Sequence, residues 1–234
     1  MEPPRFYTDV FIRSDRYIGG SSKQEILRAA QSAPSRLVEF EGMEGLFEPI
    51  LDRHELVRDR LLEIVNPRWI PEPPAEPVIA VHVRLGDFSK PKSAKDLDAK
   101  NGNVNFRMPI EWYMHAVRLL RTASGGKLQA KVYSDGPDSE LAGLLSMQGV
   151  SRAPRQAPMK DLIALSQASA LVASGSTFSM WASYLGRMPV VWHPGQLRQR
   201  LYLDHPELEA EVGQDSRLPE TMAEAVARLS TGVN

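Results

Sequence analysis

Cysteine is absent from this chain of 234 residues, which excludes disulfides, thiol catalysis and cysteine-ligated metals. The chain also lacks an excess of charge of either sign. Its formal net charge is -1, so the composition gives no indication of a nucleic-acid partner or an anionic membrane. No apolar run approaches the length of a membrane-spanning helix, and the first residues carry no signal-peptide hydrophobic core. These absences predict a cytoplasmic protein without a transmembrane segment.

Several catalytic signatures are missing as well. There is no glycine-rich dinucleotide fingerprint and no phosphate-loop lysine motif, so nicotinamide redox chemistry and the common type of ATP hydrolysis are unsupported. The five histidines show no metal-ligand spacing, and no nucleophile-elbow serine occurs. We therefore expect neither a bound metal ion nor a cofactor.

A proline-rich segment divides the chain. Five prolines lie between residues 66 and 77, and proline at this density favours polyproline II over a helix or a central strand. We interpret residues 69–77 as a semi-rigid linker between a reduced N-terminal region, residues 1–68, and a larger domain, residues 78–234. A long loop within a single domain is the alternative.

Beyond the linker, apolar strands alternate with helices. Strands are predicted at 78–84, 130–134, 170–173 and 190–192, with a weak edge strand near Val150. Helices are predicted at 109–121, 138–147, 161–168, 176–185 and 219–229. The polar stretch 89–106 is expected to be a surface loop over a site, or disordered. This alternation predicts an α/β fold, with a Rossmann-like parallel sheet flanked by helices.

Three of the predicted strands end in residues that carry chemistry. These residues are His82, Arg84, Gly86 and Asp87 at the end of the first strand, Asp135 at the end of the second, and Ser174, Gly175, Ser176, Thr177 and Phe178 at the end of the third. The carboxyl ends of parallel strands share one rim, where ligands of such sheets bind. A helix that begins with hydroxyl residues attracts anions, and a guanidinium binds phosphate well. The sequence therefore predicts a phosphate-bearing ligand at this rim.

Two structural alternatives stay open at this point. Arg84 and Asp87 can form an ordinary surface ion pair, which contributes about 0–1 kcal/mol. Ser174 or Ser176 can act simply as the N-cap of the following helix. Neither alternative requires a ligand.

Three fragments, in order, resemble the motifs of the fucosyltransferase superfamily, most closely its α-1,2 branch. Residues 82–87, HVRLGD, resemble its H-x-R-x-x-D motif, and residues 132–135, VYSD, resemble its second motif. Residues 161–168, DLIALSQA, followed by 174–182, SGSTFSMWA, resemble the third. The resemblance covers roughly residues 77–195 and implies a GT-B fold, in which the C-terminal Rossmann-like domain holds GDP-fucose.

The resemblance also implies roles for these residues. Arg84 is expected to contact the β-phosphate of the donor, His82 and Asp161 to hold the nucleoside, and residues 176–178 to surround the diphosphate. Gly86, Asp135, Ser174 and Gly175 are expected to complete the donor site. Asp87 is a candidate catalytic residue on the same rim, with capping of its own loop as the alternative.

The implied reaction is transfer of fucose from GDP-fucose to a glycan hydroxyl, with inversion and without a required metal ion. The sequence departs from the family at Leu85, where many members have a second arginine, and residues 1–66 are too few for a full acceptor domain. Two alternatives therefore accompany this hypothesis. One is a transferase that uses another nucleotide-sugar, and the other is a non-catalytic nucleotide-sugar-binding protein.

Overall fold

The computed structural model describes residues 10–12, 28, 31, 45–99, 102, 104–126 and 128–229. Its strands are β1 (Val78–Val83), β2 (Gln129–Ser134), β3 (Val150–Arg152), β4 (Ala170–Val172), β5 (Val190–Trp192) and β6 (Glu209–Glu211). Its helices are α1 (His54–Ile64), α2 (Ile110–Ala123), α3 (Asp138–Leu145), α4 (Pro158–Ser166), α5 (Thr177–Gly186) and α6 (Glu220–Leu229). Short 3-10 turns lie at Glu48–Ile50, Pro67–Trp69, Ala94–Leu97 and Pro206–Leu208.

The six strands form one sheet in the order β3-β2-β1-β4-β5-β6, and every neighbouring pair is parallel. The chain moves outward from β1 in one direction through β2 and β3, and then returns to the other side of β1 with β4. The strand order therefore reverses between β1 and β4, and such a switch point leaves a crevice at the carboxyl ends of the strands. The predicted α/β fold with a Rossmann-like parallel sheet is confirmed.

Helices cover both faces of the sheet. Val81 and Val83 of β1 pack on the face covered by α2, α3 and α6, while Ala80 packs on the face with α4 and α5. Because side chains of a strand alternate between faces, a strand covered on both sides is mostly apolar, and β1 is buried from its second residue onward. Helix α1 packs against α5.

The segment between residues 45 and 52 also packs on this domain. Phe47 is buried among the residues around α5, and its amide donates to Gln199 at 2.8 Å. The hydroxyl of Tyr184 donates to the carbonyl oxygen of Ile50 at 2.6 Å. Most of residues 1–44 lie outside the described residues, and the division of the chain at residues 69–77 stays a prediction.

One prediction about local structure needs correction. Val190–Trp192 was expected to be the last strand, but β6 follows it and pairs with it. For the stretch 89–106, a surface loop and disorder were the two alternatives, and its described part is an ordered loop that contains the 3-10 turn Ala94–Leu97 and a bridge between Ser89 and Phe106. Leu97 is buried in the core, which gives this stretch an apolar anchor. The weak edge strand near Val150 is confirmed as β3.

Candidate functional site

A cleft of about 620 Å³ opens at the carboxyl ends of the strands. It lies at the switch point, because residues that follow β1 and residues at the start of α5 both line it. Eight of the residues predicted from the sequence line this cleft: His82, Arg84, Asp87, Asp135, Asp161, Ser176, Thr177 and Phe178. The fold therefore brings residues from three separate strand ends to one hollow.

Arg84 forms two ion pairs at the edge of the cleft. Its guanidinium lies 2.8 Å from a carboxylate oxygen of Asp87 and 2.8 Å from one of Asp135. The side chain of Asp87 is 69% exposed, whereas that of Asp135 is 28% exposed. Phe88 lies beneath the guanidinium, with its ring centre 5.8 Å away. The surface ion pair considered above is present, and Arg84 nevertheless borders the cleft.

Asp135 connects the end of β2 to the turn after β1. Its carboxylate accepts the amide N–H of Leu85 at 2.8 Å and that of Gly86 at 3.0 Å. Burial opposes ionisation of this group, but the two amides and Arg84 outweigh it and lower the pKa of Asp135 below its ordinary value. A Cβ at position 86 would lie 2.6 Å from this carboxylate. Glycine at 86 is thus required by Asp135, a residue 49 positions away.

His82 is buried beneath the cleft and bonded to a group of serines. Its Nδ1 lies 2.7 Å from the hydroxyl of Ser179 and 3.0 Å from that of Ser174, and its ring packs on Phe178 with centres 5.1 Å apart. Burial, together with the charge of Arg84, lowers the pKa of His82 to about 4. The imidazole is therefore neutral at physiological pH.

The loop after β4 is held from below. Ser174 is buried, and its hydroxyl lies 2.9 Å from that of Ser176 and 3.0 Å from that of Ser179. Gly175 is also buried, and a Cβ there would collide with the side chain of Gln196. Neither Ser174 nor Gly175 lines the cleft. Among the predicted site residues, these two and Gly86 support the residues that do.

The N-terminus of α5 faces the cleft. Ser176 is its N-cap and accepts the amide of Ser179 at 3.3 Å, so the capping alternative is also present. The first amides of a helix have no acceptor within the helix, and the residues at these positions, Thr177 and Phe178, line the cleft. This end of α5 can therefore donate hydrogen bonds to an anion.

Asp161 lies in the first turn of α4, on another side of the cleft. Burial raises its pKa to about 6, although the side-chain amide of Gln156 donates to it at 2.8 Å. Tyr133 is close enough that burial and the charge of Asp161 raise the pKa of its hydroxyl to about 12. A half-buried carboxylate beside an amide provides acceptors and donors for a polar heterocycle.

Sequence reasoning missed several residues of the cleft. Arg155 and Gln156 follow β3, and Arg198 follows β5. The signal that would have revealed them is the same strand-end rule, applied to β3 and β5 as well as to β1, β2 and β4. In the described part of the chain, no group of three or more His, Asp or Glu side chains could hold a metal ion.

No family model matches the chain, and no curated protein matches it. Among solved structures, the chain is similar to the glycosyltransferase SnogD from Streptomyces nogalater, with 15% identity and a TM-score of 0.37. It is also similar to the E. coli heptosyltransferase WaaC with ADP, with 13% identity and a TM-score of 0.40. It is similar as well to the calicheamicin glycosyltransferase CalG4, with 13% identity and a TM-score of 0.37.

These similarities cover 71%, 91% and 95% of this chain, but 42%, 56% and 61% of the three structures in the same order. The chain thus spans about half the length of the proteins that it matches. All three are glycosyltransferases, and at these identities and TM-scores the likeness supports no conclusion about ligand or activity. Within the described residues, no helix combines the length and hydropathy that crossing a bilayer requires.

Proposed function

We propose that the cleft binds a nucleotide-sugar, and that the protein transfers the sugar from it to an acceptor hydroxyl. The observation that carries this proposal is the convergence of Arg84, the N-terminus of α5 and Asp161 on one cleft at the switch point. A guanidinium and helix amides suit a diphosphate, and the separate carboxylate suits a base. Arg84 and the N-terminus of α5 thus suit the diphosphate of a nucleoside diphosphate, and Asp161 suits its base.

The part of the cleft around Asp161 favours guanine as the nucleobase. Guanine presents neighbouring N–H donors on one edge, and a carboxylate accepts two such bonds at once. Asp161 lines the cleft and is ionised above its pKa of about 6. This chemistry and the motif resemblance together support GDP-fucose as the donor, and the other nucleotide-sugars remain the alternative.

Transfer with inversion requires one bond to break as another forms. The bond between the sugar carbon and the β-phosphate oxygen breaks, the acceptor oxygen attacks from the opposite face, and its proton passes to a base. Negative charge develops on the diphosphate, and donors already in place stabilise that charge. In this proposal Arg84 supplies such a donor once phosphate replaces Asp87 as its partner, because Asp87 is the more exposed of its two carboxylates. The freed Asp87 carboxylate is the proposed base.

Replacement of Arg84 tests this function. With GDP-fucose and a panel of glycan acceptors, we expect Arg84→Ala to lower the transfer rate by about 10²–10³. Arg84→Lys should restore little of it, because lysine lacks the two-pronged geometry of a guanidinium. Arg118→Ala on the exposed face of α2 is the matched control, and circular dichroism checks that each variant folds.

Calorimetric titration of GDP, GDP-fucose and UDP-sugars, with and without EDTA, defines the donor. Tightest binding of GDP-fucose supports the proposal, and preference for a UDP-sugar contradicts the assignment of the donor. Binding without transfer or donor hydrolysis indicates a nucleotide-sugar-binding protein. Near-normal transfer by Arg84→Ala contradicts the role of Arg84.

A further inference from the structure

Three arginines border the cleft, and they differ in their partners. Arg84 is neutralised by two carboxylates. Arg155 is exposed and has the carbonyl oxygen of Gly136 3.5 Å from its Nη2. Arg198 is half-buried and, within the described ranges of the chain, has no ion-pair, hydrogen-bond or ring partner. A guanidinium at the edge of a cleft that makes no direct ion pair is available to bind an anionic ligand.

The backbone on both sides of Arg198 is fixed. Leu197 donates its amide to Glu211 at 2.9 Å, and the side chain of Gln199 accepts the amide of Phe47 at 2.8 Å. Gln196 is buried and donates to the carbonyl oxygen of Leu97. The loop therefore presents Arg198 to the cleft from an ordered position, which lowers the entropic cost of binding a ligand.

The sheet order locates Arg198 within the cleft. Arg198 follows β5, beside β4, whereas Gln156, the partner of Asp161, follows β3 at the opposite side of the sheet. The N-terminus of α5 follows β4 and lies between them. If the base lies against Asp161 and the phosphates against α5, the sugar-side phosphate points toward Arg198.

The surroundings of Arg198 favour an anion on the cleft side. The same residue borders a second hollow of about 610 Å³, whose lining includes one further cation, Arg200, and three carboxylates, those of Glu207, Glu209 and Glu211. These carboxylates repel an anion from that hollow. In the cleft, the charge of Asp87 and Asp135 is already balanced in part by Arg84. An anion that binds Arg198 is thus attracted more strongly from the cleft, on the side of α5, than from the second hollow.

We infer that Arg198 binds the β-phosphate of the donor, beside the N-terminus of α5. This inference rests on the proposed function, since it names the contact of one residue with the proposed ligand. It assigns to the loop after β5 a second cation for the diphosphate, in addition to Arg84, which is ion-paired in this structure.

Calorimetry of Arg198→Ala with three probes tests the inference. The variant should bind GDP and inorganic pyrophosphate roughly 10- to 100-fold more weakly than the wild type, the effect of losing a hydrogen bond to a charged group. GMP affinity should change by no more than about threefold, because GMP lacks the β-phosphate. Arg198→Lys should retain part of the affinity, and Arg118→Ala should retain all of it.

The outcomes separate this inference from the function on which it rests. If the wild type binds GDP and Arg198→Ala binds it equally well, the role of Arg198 is wrong and the proposed function stands. The same conclusion follows if the variant loses as much affinity for GMP as for GDP. If the wild type binds pyrophosphate through Arg198 but binds no nucleotide, the proposed function fails and the phosphate contact stands. If it binds none of the three probes, both are overturned. Circular dichroism confirms that the variants fold.

Discussion

Asp135 holds the turn after β1 in place. It accepts two amides of that turn and one nitrogen of Arg84, and hydrogen bonds to an ionised acceptor are stronger than neutral ones. The turn therefore has its shape before any ligand arrives, and Arg84 is aimed at the cleft by a carboxylate from a different strand. Preorganisation of this kind is what stabilises developing charge.

Gly86→Ala tests this arrangement. The added Cβ meets the Asp135 carboxylate at 2.6 Å, so the turn has to shift, and overpacking of this kind costs about 1–3 kcal/mol of unfolding free energy. Urea denaturation measures the loss. Gly143→Ala in α3 is the control, since its Cβ would meet the sulfur of Met114 at 3.4 Å and Cγ2 of Ile110 at 3.8 Å, both ordinary contacts, and helical alanine is favourable. Wild-type stability of Gly86→Ala contradicts the argument.

Helix α5 connects the rim of the cleft with the core of the domain. Two of its serines are completely buried and paired: Ser179 bonds to His82, and the hydroxyl of Ser183 lies 2.8 Å from that of Tyr202. The helix ends at Gly186, and Arg187 is its C-cap, with a positive φ of 51°. These contacts fix the axis of the helix, and hence the direction in which its first amides point.

Ser176→Ala removes the cap of this helix. We expect a loss of about 1 kcal/mol of unfolding free energy, the usual effect of deleting an N-cap hydroxyl, because the amide of Ser179 loses its acceptor. Chemical denaturation compares the variant with Ser139→Ala, a change at an exposed serine in α3 that should alter stability little. Equal stability of the two variants would show that the capping bond contributes nothing.

At the scale of the whole molecule, five strands of the sheet were predictable and the edge strand β6 was not. β1 and β5 are short, mostly apolar buried runs bounded by turn residues, and this length and these flanks identify them as strands. β6 consists of Glu209, Ala210 and Glu211, a composition that argues against a strand. Glu209 is buried there because its carboxylate accepts the amides of Leu201 and Tyr202, and such a pairing leaves no periodic signal.

The candidate site shows the same division. The strand-end rule brought the residues of three strands to one rim, and the fold has them there. It did not reveal that Gly86 leaves space for the carboxylate of Asp135 rather than for a ligand. Nor did it reveal that Gly175 leaves space for the side chain of Gln196. Those contacts join residues far apart in the chain, so their distances depend on the packed structure.

Two groups of the cleft give the stability of the whole protein opposite pH dependences. Burial and Arg84 lower the pKa of His82 from 6.5 to about 4, so between these values the unfolded chain binds more protons, and stability rises with pH. Burial raises the pKa of Asp161 from 3.8 to about 6. In that interval the folded chain binds more protons, and this group makes stability fall as pH rises.

Urea denaturation between about pH 4 and about pH 8 separates the two contributions when each group is removed in turn. The stability of the wild type relative to His82→Gln should increase as pH rises to about 6.5 and then level off. Its stability relative to Asp161→Asn should decrease up to about pH 6 and then level off. A variant of exposed His205, which lies outside the cleft, controls for general effects of histidine loss. Flat differences for both variants would show that neither group titrates differently in the folded protein, whereas slopes of the expected opposite sign would locate both titrations in the cleft.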